Sequence, residues 1–243
     1  MKFNIGKIPQ KITPCPIKEA VVELRFDTSL PYDAVPGMIL SAFKDTFGPL
    51  QRHAILEIPE IIRTSDPNLE YSPYHLFRKG NFVLQVGPKC FSIACVDDYT
   101  DWNTYFSTIK TALDGLLKLK IVEKPTRLGL RYVSFFNSQD IFANIQLPLE
   151  MAGNSLIGHK NVMMSEFEQD GFKCVLQLRN QHLELSTGMV GSVVDIDLLQ
   201  DINSPIDNVD LYGPINKAHD IEKLIFFGIL KPEYLNTLKP QYE

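Results

Sequence analysis

Val21-Val22-Glu23-Leu24-Arg25-Phe26 and, far downstream, Leu128-Gly129-Leu130-Arg131-Tyr132-Val133 share a Leu-Arg-aromatic order. Both read as strands: short, rich in β-branched and aromatic residues, and apolar on at least one parity. In the first, alternation puts Val22, Leu24 and Phe26 on one face and Val21, Glu23 and Arg25 on the other. Downstream of each copy the pattern is also alike, a helical stretch, several strands and then a longer amphipathic helix. The reading is an α+β chain of duplicated strand-helix-strands-helix halves.

The elements between the two copies carry the argument. Pro31 to Pro36 is a turn. Val35, Ile39, Phe43 and Phe47 recur at helical spacing, and Gly48-Pro49 stops that helix. Ala54 to Arg63 alternates as a strand, with Pro59 marking an edge or bulge. Tyr74 to Arg78 and Phe82 to Val86 flank Lys79-Gly80-Asn81, a hairpin signal. Cys90 to Val96 is another strand. A long helix then runs from Thr100 to Leu119, with Thr100 or Asp101 as N-cap and Trp102, Phe106, Ile109, Leu113 and Leu116-Leu117 as its apolar stripe.

Glu123-Lys124-Pro125 is the internal boundary. Residues 1–123 form the first half, with 1–16 an extended arm because Pro9, Pro14 and Pro16 oppose helix and central strand; residues 124–243 form the second. After the second triplet come a short helix over Asn137 to Ile145, capped by Asn137 or Ser138, and a loop from Gly153 to Gly158. Strands come next near Val162 to Glu168, Lys173 to Leu178 and His182 to Ser186, with Asn180-Gln181 as a turn. Ser192 to Leu199 is the last long strand and Pro205 to Tyr212 a loop. The final helix, about Pro214 to Ile229, turns Ile215, Ala218, Ile221-Glu222, Leu224-Ile225 and Gly228 to its face. Two such halves side by side predict one curved antiparallel sheet with helices on one face, the halves sharing one core. That order resembles the helix-grip arrangement and, duplicated, the saddle of TATA-binding proteins.

Pro16-Ile17-Lys18-Glu19-Ala20-Val21-Val22-Glu23-Leu24-Arg25-Phe26 and Arg127-Leu128-Gly129-Leu130-Arg131-Tyr132 resemble two blocks of a sporadically distributed bacterial family of uncharacterised proteins of similar length. The second block is that family's Arg-x-Gly-Leu-Arg-Tyr strand. Leu84-Gln85-Val86-Gly87, Tyr99-Thr100-Asp101-Trp102 and the His219 helix also fall where the pattern would place them. The chain departs from it after Tyr132, where Val133-Ser134-Phe135 stands in place of Ile-Asn-Arg. The resemblance implies no activity, but its patchy distribution is that of defence or toxin-antitoxin genes.

Composition narrows the function classes. Hydrophobic residues at 44% and charged residues at 22% describe a globular chain rather than a disordered one. A net charge of -5 and a pI near 5.6 argue against broad capture of nucleic acid or of an anionic membrane surface. The start, Met1 to Lys7, lacks the apolar run of a signal peptide, and Ile225 to Leu230 is too short to span a bilayer. Cys15, Cys90, Cys95 and Cys174 are sparse, and a parity argument sets Cys90 and Cys95 on opposite strand faces, which suits a reducing cytoplasm.

The candidate ligand-binding residues are Arg25, Arg131, Glu23, Asp195, Asp197 and His219. Arg25 and Arg131 are either anion anchors, by their planar forks, or partners of acids on their own sheet faces, Glu23 for Arg25. Asp195 and Asp197 alternate onto one face, as cation ligands or as partners for Arg131. His219 beside Asp220 is either a base or a residue of the helix surface or an interface. Trp102 with Tyr99, Tyr105 and Phe106 is either a base-stacking platform or core. Lys110, Lys118, Lys120, Lys124 and Arg127 gather charge near the boundary, as expected of a solvated helix end.

No metal-ligand spacing, phosphate loop, dinucleotide fingerprint or nucleophile elbow occurs, so no catalytic residue, metal or cofactor is assigned. The leading expectation is a non-enzymatic, cytoplasmic protein-binding module, antitoxin-like or regulatory in a defence or toxin-antitoxin pair. The alternative is a small-molecule or nucleotide sensor with an anion pocket between sheet and helices. Nucleic acid ranks below both, no membrane association is expected, and self-association stays open. The discriminating feature is the exposed surface: an apolar face marks an interface, a buried polar one a pocket.

Overall fold

The computed structural model describes residues 3–242 apart from 4, 33, 68 and 186. The chain is α+β and divides into two compact units. The first comprises Glu19–Leu130 and Leu199–Ile215; the second comprises Met1–Lys18, Arg131–Leu198 and Asn216–Glu243.

The first unit opens on β1 (Ile17–Asp27), whose Ala20, Val22, Leu24 and Phe26 are buried as alternation predicts. Helix α1 (Ala34–Phe47) buries Val35, Ile39, Phe43 and Phe47. It ends at Gly48, whose φ of 84° is the left-handed cap that glycine adopts without strain. After β2 (Leu50–Arg52), the stretch expected as a strand is instead a 3-10 turn, Ala54–Glu57, succeeded by α2 (Glu60–Ser65). Local capping overrides the apolar alternation there. His53 Nδ1 accepts from the Ile55 amide at 3.2 Å, and Pro59 occupies the N-cap of α2 with φ -53°.

β3 (His75–Lys79) and β4 (Phe82–Val86) form the expected hairpin, with Gly80 at φ 60°. β5 (Cys90–Val96) pairs antiparallel with both β4 and β1. Helix α3 (Trp102–Lys118) starts on Asp101, whose carboxylate accepts from the Thr104 amide at 2.9 Å. Its buried stripe is Tyr105, Ile109, Ala112, Leu113 and Leu116. Trp102 and Phe106 flank that stripe, half-exposed, instead of leading it. The Tyr105 hydroxyl, sealed in the core, lies 2.9 and 2.7 Å from the carbonyl oxygens of Ala20 and Ile93. Helices α1 and α3 touch at Gly115, where a Cβ would fall 2.7 Å from the Phe43 ring.

β6 (Lys124–Asn137) runs from the first unit into the second at Leu130 and Arg131. In the second unit, α4 (Ile141–Asn144) is shorter than expected. Its cap is Asp140, accepting from the Phe142 amide at 3.0 Å, and not Asn137 or Ser138. The Gly153–Gly158 stretch holds part of a small hairpin, β7 (Glu150–Met151) with β8 (Asn154–Ser155). β9 (Val162–Gln169) pairs with β10 (Phe172–Glu184). Asn180-Gln181, read as a turn, lies inside β10. Gln181 takes φ 49° without interrupting the strand, and Asn180 Oδ1 accepts from the Asn161 amide at 2.7 Å. Ser186, the predicted end of a separate strand, lies outside the described residues.

β11 (Met189–Asp201) extends the last predicted strand at both ends. A 3-10 turn, Ile206–Asn208, interrupts the loop before α5 (Tyr212–Ile229), and α6 (Pro232–Thr237) closes the chain. Of the expected arm, residues 1, 2 and 4 are outside the described set. Lys11 bridges to Gln241 and Ile12 is buried. By hydrogen-bonded neighbours the strands run β2-β3-β4-β5-β1-β6-β11-β10-β9, a nine-stranded antiparallel sheet, with β7-β8 apart.

Candidate functional site

In the first unit, Glu23 and Arg25 share a face two residues apart, and Arg25 Nε donates to Glu23 Oε1 at 2.6 Å. The Arg25 guanidinium lies 4.5 Å from the centre of the Tyr71 ring. Glu23 also draws Arg127 to 3.3 Å, while the Arg127 Nε is buried without a hydrogen-bond partner. Lys89 completes the cluster at 2.6 Å from Glu70, whose hydrogen bond raises the lysine pKa. The arginine read as an anion anchor is therefore already neutralised by its own strand.

The second unit arranges the same triplet differently. Arg131 grips Asp195 with two parallel bonds, Nε to Oδ1 at 2.8 Å and Nη2 to Oδ2 at 2.6 Å. Arg179 approaches the same Oδ2 at 4.0 Å, and its Nε is buried without a partner. The Asp195 side chain is 2% exposed, against 45% for Arg131 and 36% for Arg179. Two guanidiniums thus lie across one covered carboxylate. Asp197 is half-buried on the same strand.

His219 is neither on the helix surface nor at an open interface. It is buried, with Nδ1 3.1 Å from the Tyr132 hydroxyl. Burial, then the charge of Lys223, lowers its pKa to about 3, so it is neutral at physiological pH. One turn on, Glu222 is equally covered, and burial raises its pKa to about 8. The signal for this pair was present, because 219 and 222 fall in the helical phase of Ile215, Ala218 and Ile225.

The aromatic group around Trp102 is packed internally. Trp102 contacts Tyr105 and Phe106, and Tyr105 stacks on Phe82 with ring centres 6.1 Å apart. Cys90, Cys95 and Cys174 are unbridged and buried, and burial raises the pKa of each thiol. Among the described residues no group of three or more His, Cys, Asp or Glu is placed to hold a metal ion, and no helix is long and apolar enough to cross a membrane.

Sequence reasoning missed the feature that stands out on the second unit's surface. β9 stops at Val162, opposite Arg179, whereas β10 continues to Glu184. The step leaves a groove of about 560 Å³. Its rim is apolar and charged: Val162, Leu183 and Leu185 with Lys160, Arg179 and Glu184. Val162 is 73% exposed, Leu183 50% and Leu185 87%, and Met164 beside them is 61% exposed. Leu183 and Leu185 fall on the outward parity of β10, in phase with exposed Lys173 and Gln181, and beyond Val162 no β9 residue stands opposite them. The available sequence signal was the apolar Leu183 and Leu185 beyond a predicted turn. No known protein family matches the chain, and no curated protein matches it significantly.

Proposed function

We propose that this chain is a non-enzymatic protein-binding module whose docking surface is the groove at the β9–β10 step. The observation that carries the reading is the cluster of exposed Val162, Met164, Leu183 and Leu185 around an open strand end. Isolated exposed apolar residues are ordinary; a contiguous set beside a polar rim is the mark of an interaction site. β9 is also the outermost strand of the sheet. Its far half carries Glu166 and Glu168, charges that discourage added strands, whereas Val162-Met163-Met164 carries none.

The occupant is an extended segment of a different protein, apolar with an adjacent acidic residue. Strand addition supplies main-chain bonds, and the alternating pockets select side chains. Lys160 and Arg179 outnumber Glu184 in the lining and favour acid at this place, although the chain as a whole carries a net charge of -5. That global charge also disfavours a second copy as the occupant.

In the same proposal the chain is a cytoplasmic, antitoxin-like or regulatory member of a defence pair, in the sporadic bacterial family that the Arg127–Tyr132 block resembles. A duplicated, helix-grip-like ancestry suits the repeated triplet. Native mass spectrometry of the tagged protein from its own host tests the proposal. A stoichiometric second polypeptide should be present, lost in Leu185→Asp and Val162→Asp, and retained in the exposed control Ile61→Asp. A homodimer, or a partner indifferent to both groove substitutions, would overturn it.

A further inference from the structure

The first unit contains another cavity, of about 320 Å³, within the size range of small-molecule sites. Pro36 and Leu40 of α1, Leu50 of β2 and Leu56 of the 3-10 turn give it apolar walls. Gly37 adds space, since a Cβ there meets nothing within 4 Å.

The polar part of the lining is Arg63, Tyr74 and His75. Arg63 is held from two sides. Its Nε donates to the Ile58 carbonyl at 2.9 Å, and its guanidinium carbon lies 4.5 Å from the centre of the Tyr74 ring. Neither contact brings negative charge, and among the described residues no carboxylate is within ion-pair distance of it. The two terminal nitrogens of a fixed guanidinium are thus left at the wall of an apolar cavity. His75 stands beside it with Nδ1 buried and without a hydrogen-bond partner. Burial, then the charge of Arg52, lowers its pKa, which favours the neutral ring.

We propose that this cavity binds a small organic carboxylate with a compact apolar body, an aryl or short branched aliphatic acid. The Arg63 fork matches a carboxylate in geometry and charge. The leucine and proline walls accept the apolar body. Free phosphate fits less well, because it offers nothing to the apolar walls and needs more donors than one guanidinium supplies. The site is independent of the β9–β10 groove, so either proposal can fail without the other.

Titration of the full chain with sodium benzoate, monitored by the His75 ring resonances and by calorimetry, tests it. Benzoate should bind saturably, whereas acetate, phosphate and benzyl alcohol should be weaker by about tenfold or more, the loss expected when either the charge or the apolar body is missing. Arg63→Gln should weaken benzoate by a similar factor, with Arg63→Lys recovering part of it. Leu40→Trp, which fills the cavity and leaves Arg63 intact, should block binding and so stands as a second test if Arg63 variants are unstable. Equal binding of benzyl alcohol, benzoate binding unchanged in Arg63→Gln, or no saturable response to benzoate would each overturn the proposal.

Discussion

Arg25 and Arg131 occupy the same place in two copies of one triplet, and their surroundings differ in every respect that matters electrostatically. Arg25 takes its carboxylate from two residues back along its own strand, at a site where both side chains are about a quarter exposed. Arg131 takes Asp195 from β11, and that carboxylate is almost fully covered. The first arrangement is local, solvated and redundant, because Arg127 also serves Glu23. The second is long-range and mutually dependent. A shared triplet therefore specifies a strand with an outward arginine; what the arginine does depends on the neighbouring strand.

The largest expected effect breaks the buried member. Arg131→Ala leaves Asp195 covered, with Arg179 only at 4.0 Å, and should cost about 3 kcal/mol of unfolding free energy in urea, the range for an orphaned buried charge tempered by the exposure of the arginine. The double variant Arg131→Met, Asp195→Leu should regain most of that loss, since apolar residues of similar volume replace buried pairs at little cost. A double variant no better than the single would mean that the arginine acts by packing, not by pairing.

The next effect concerns pH and the second unit alone. Glu222 has its pKa raised from 4.5 to about 8, so the folded state holds a proton that the unfolded state gives up. Its contribution is complete below pH 4.5 and is lost as the pH rises toward 8. His219 has its pKa lowered from 6.5 to about 3, so its contribution is complete above 6.5 and is lost as the pH falls toward 3. Between pH 4.5 and 6.5 the two slopes oppose each other, which predicts a plateau. From 6.5 to 8 only the Glu222 slope remains, a fall of about 2 kcal/mol. Glu222→Gln should flatten that fall in denaturant titrations across pH; an unchanged slope would remove Glu222 from the explanation.

The smallest effect sharpens the contrast. Arg25→Ala should cost about 0.5 kcal/mol, as partly exposed pairs do, because Arg127 remains beside Glu23. Equal losses at Arg25 and Arg131 would erase the distinction between the two copies.

Much of the architecture was legible because local rules and tertiary packing agree. β1, α1, the β3–β4 hairpin and α3 appear where parity, helical spacing, Gly80 and Asp101 put them. The misses have local causes that alternation alone does not report. His53 and Pro59 cap helical turns through a stretch that alternates like a strand, and Asn180 bonds Asn161 and carries β10 through a dipeptide that reads as a turn. Glu23 with Arg25 could be read from spacing, whereas Asp195 with Arg131 was one of two open readings and needed the packing of β6 on β11. Of the groove, sequence offered only the apolar Leu183 and Leu185, because the step itself arises from the difference in length between two paired strands, a property of register and not of either segment.

The central claim is that the β9–β10 step is where a partner binds, and amide hydrogen exchange on the free chain and on the complex purified from its host tests it most directly. The account predicts slowed exchange in the complex over 162–164 and 181–185, with the Arg25 cluster unchanged. Protection confined to other segments, with these amides exchanging as fast as in the free chain, would contradict it.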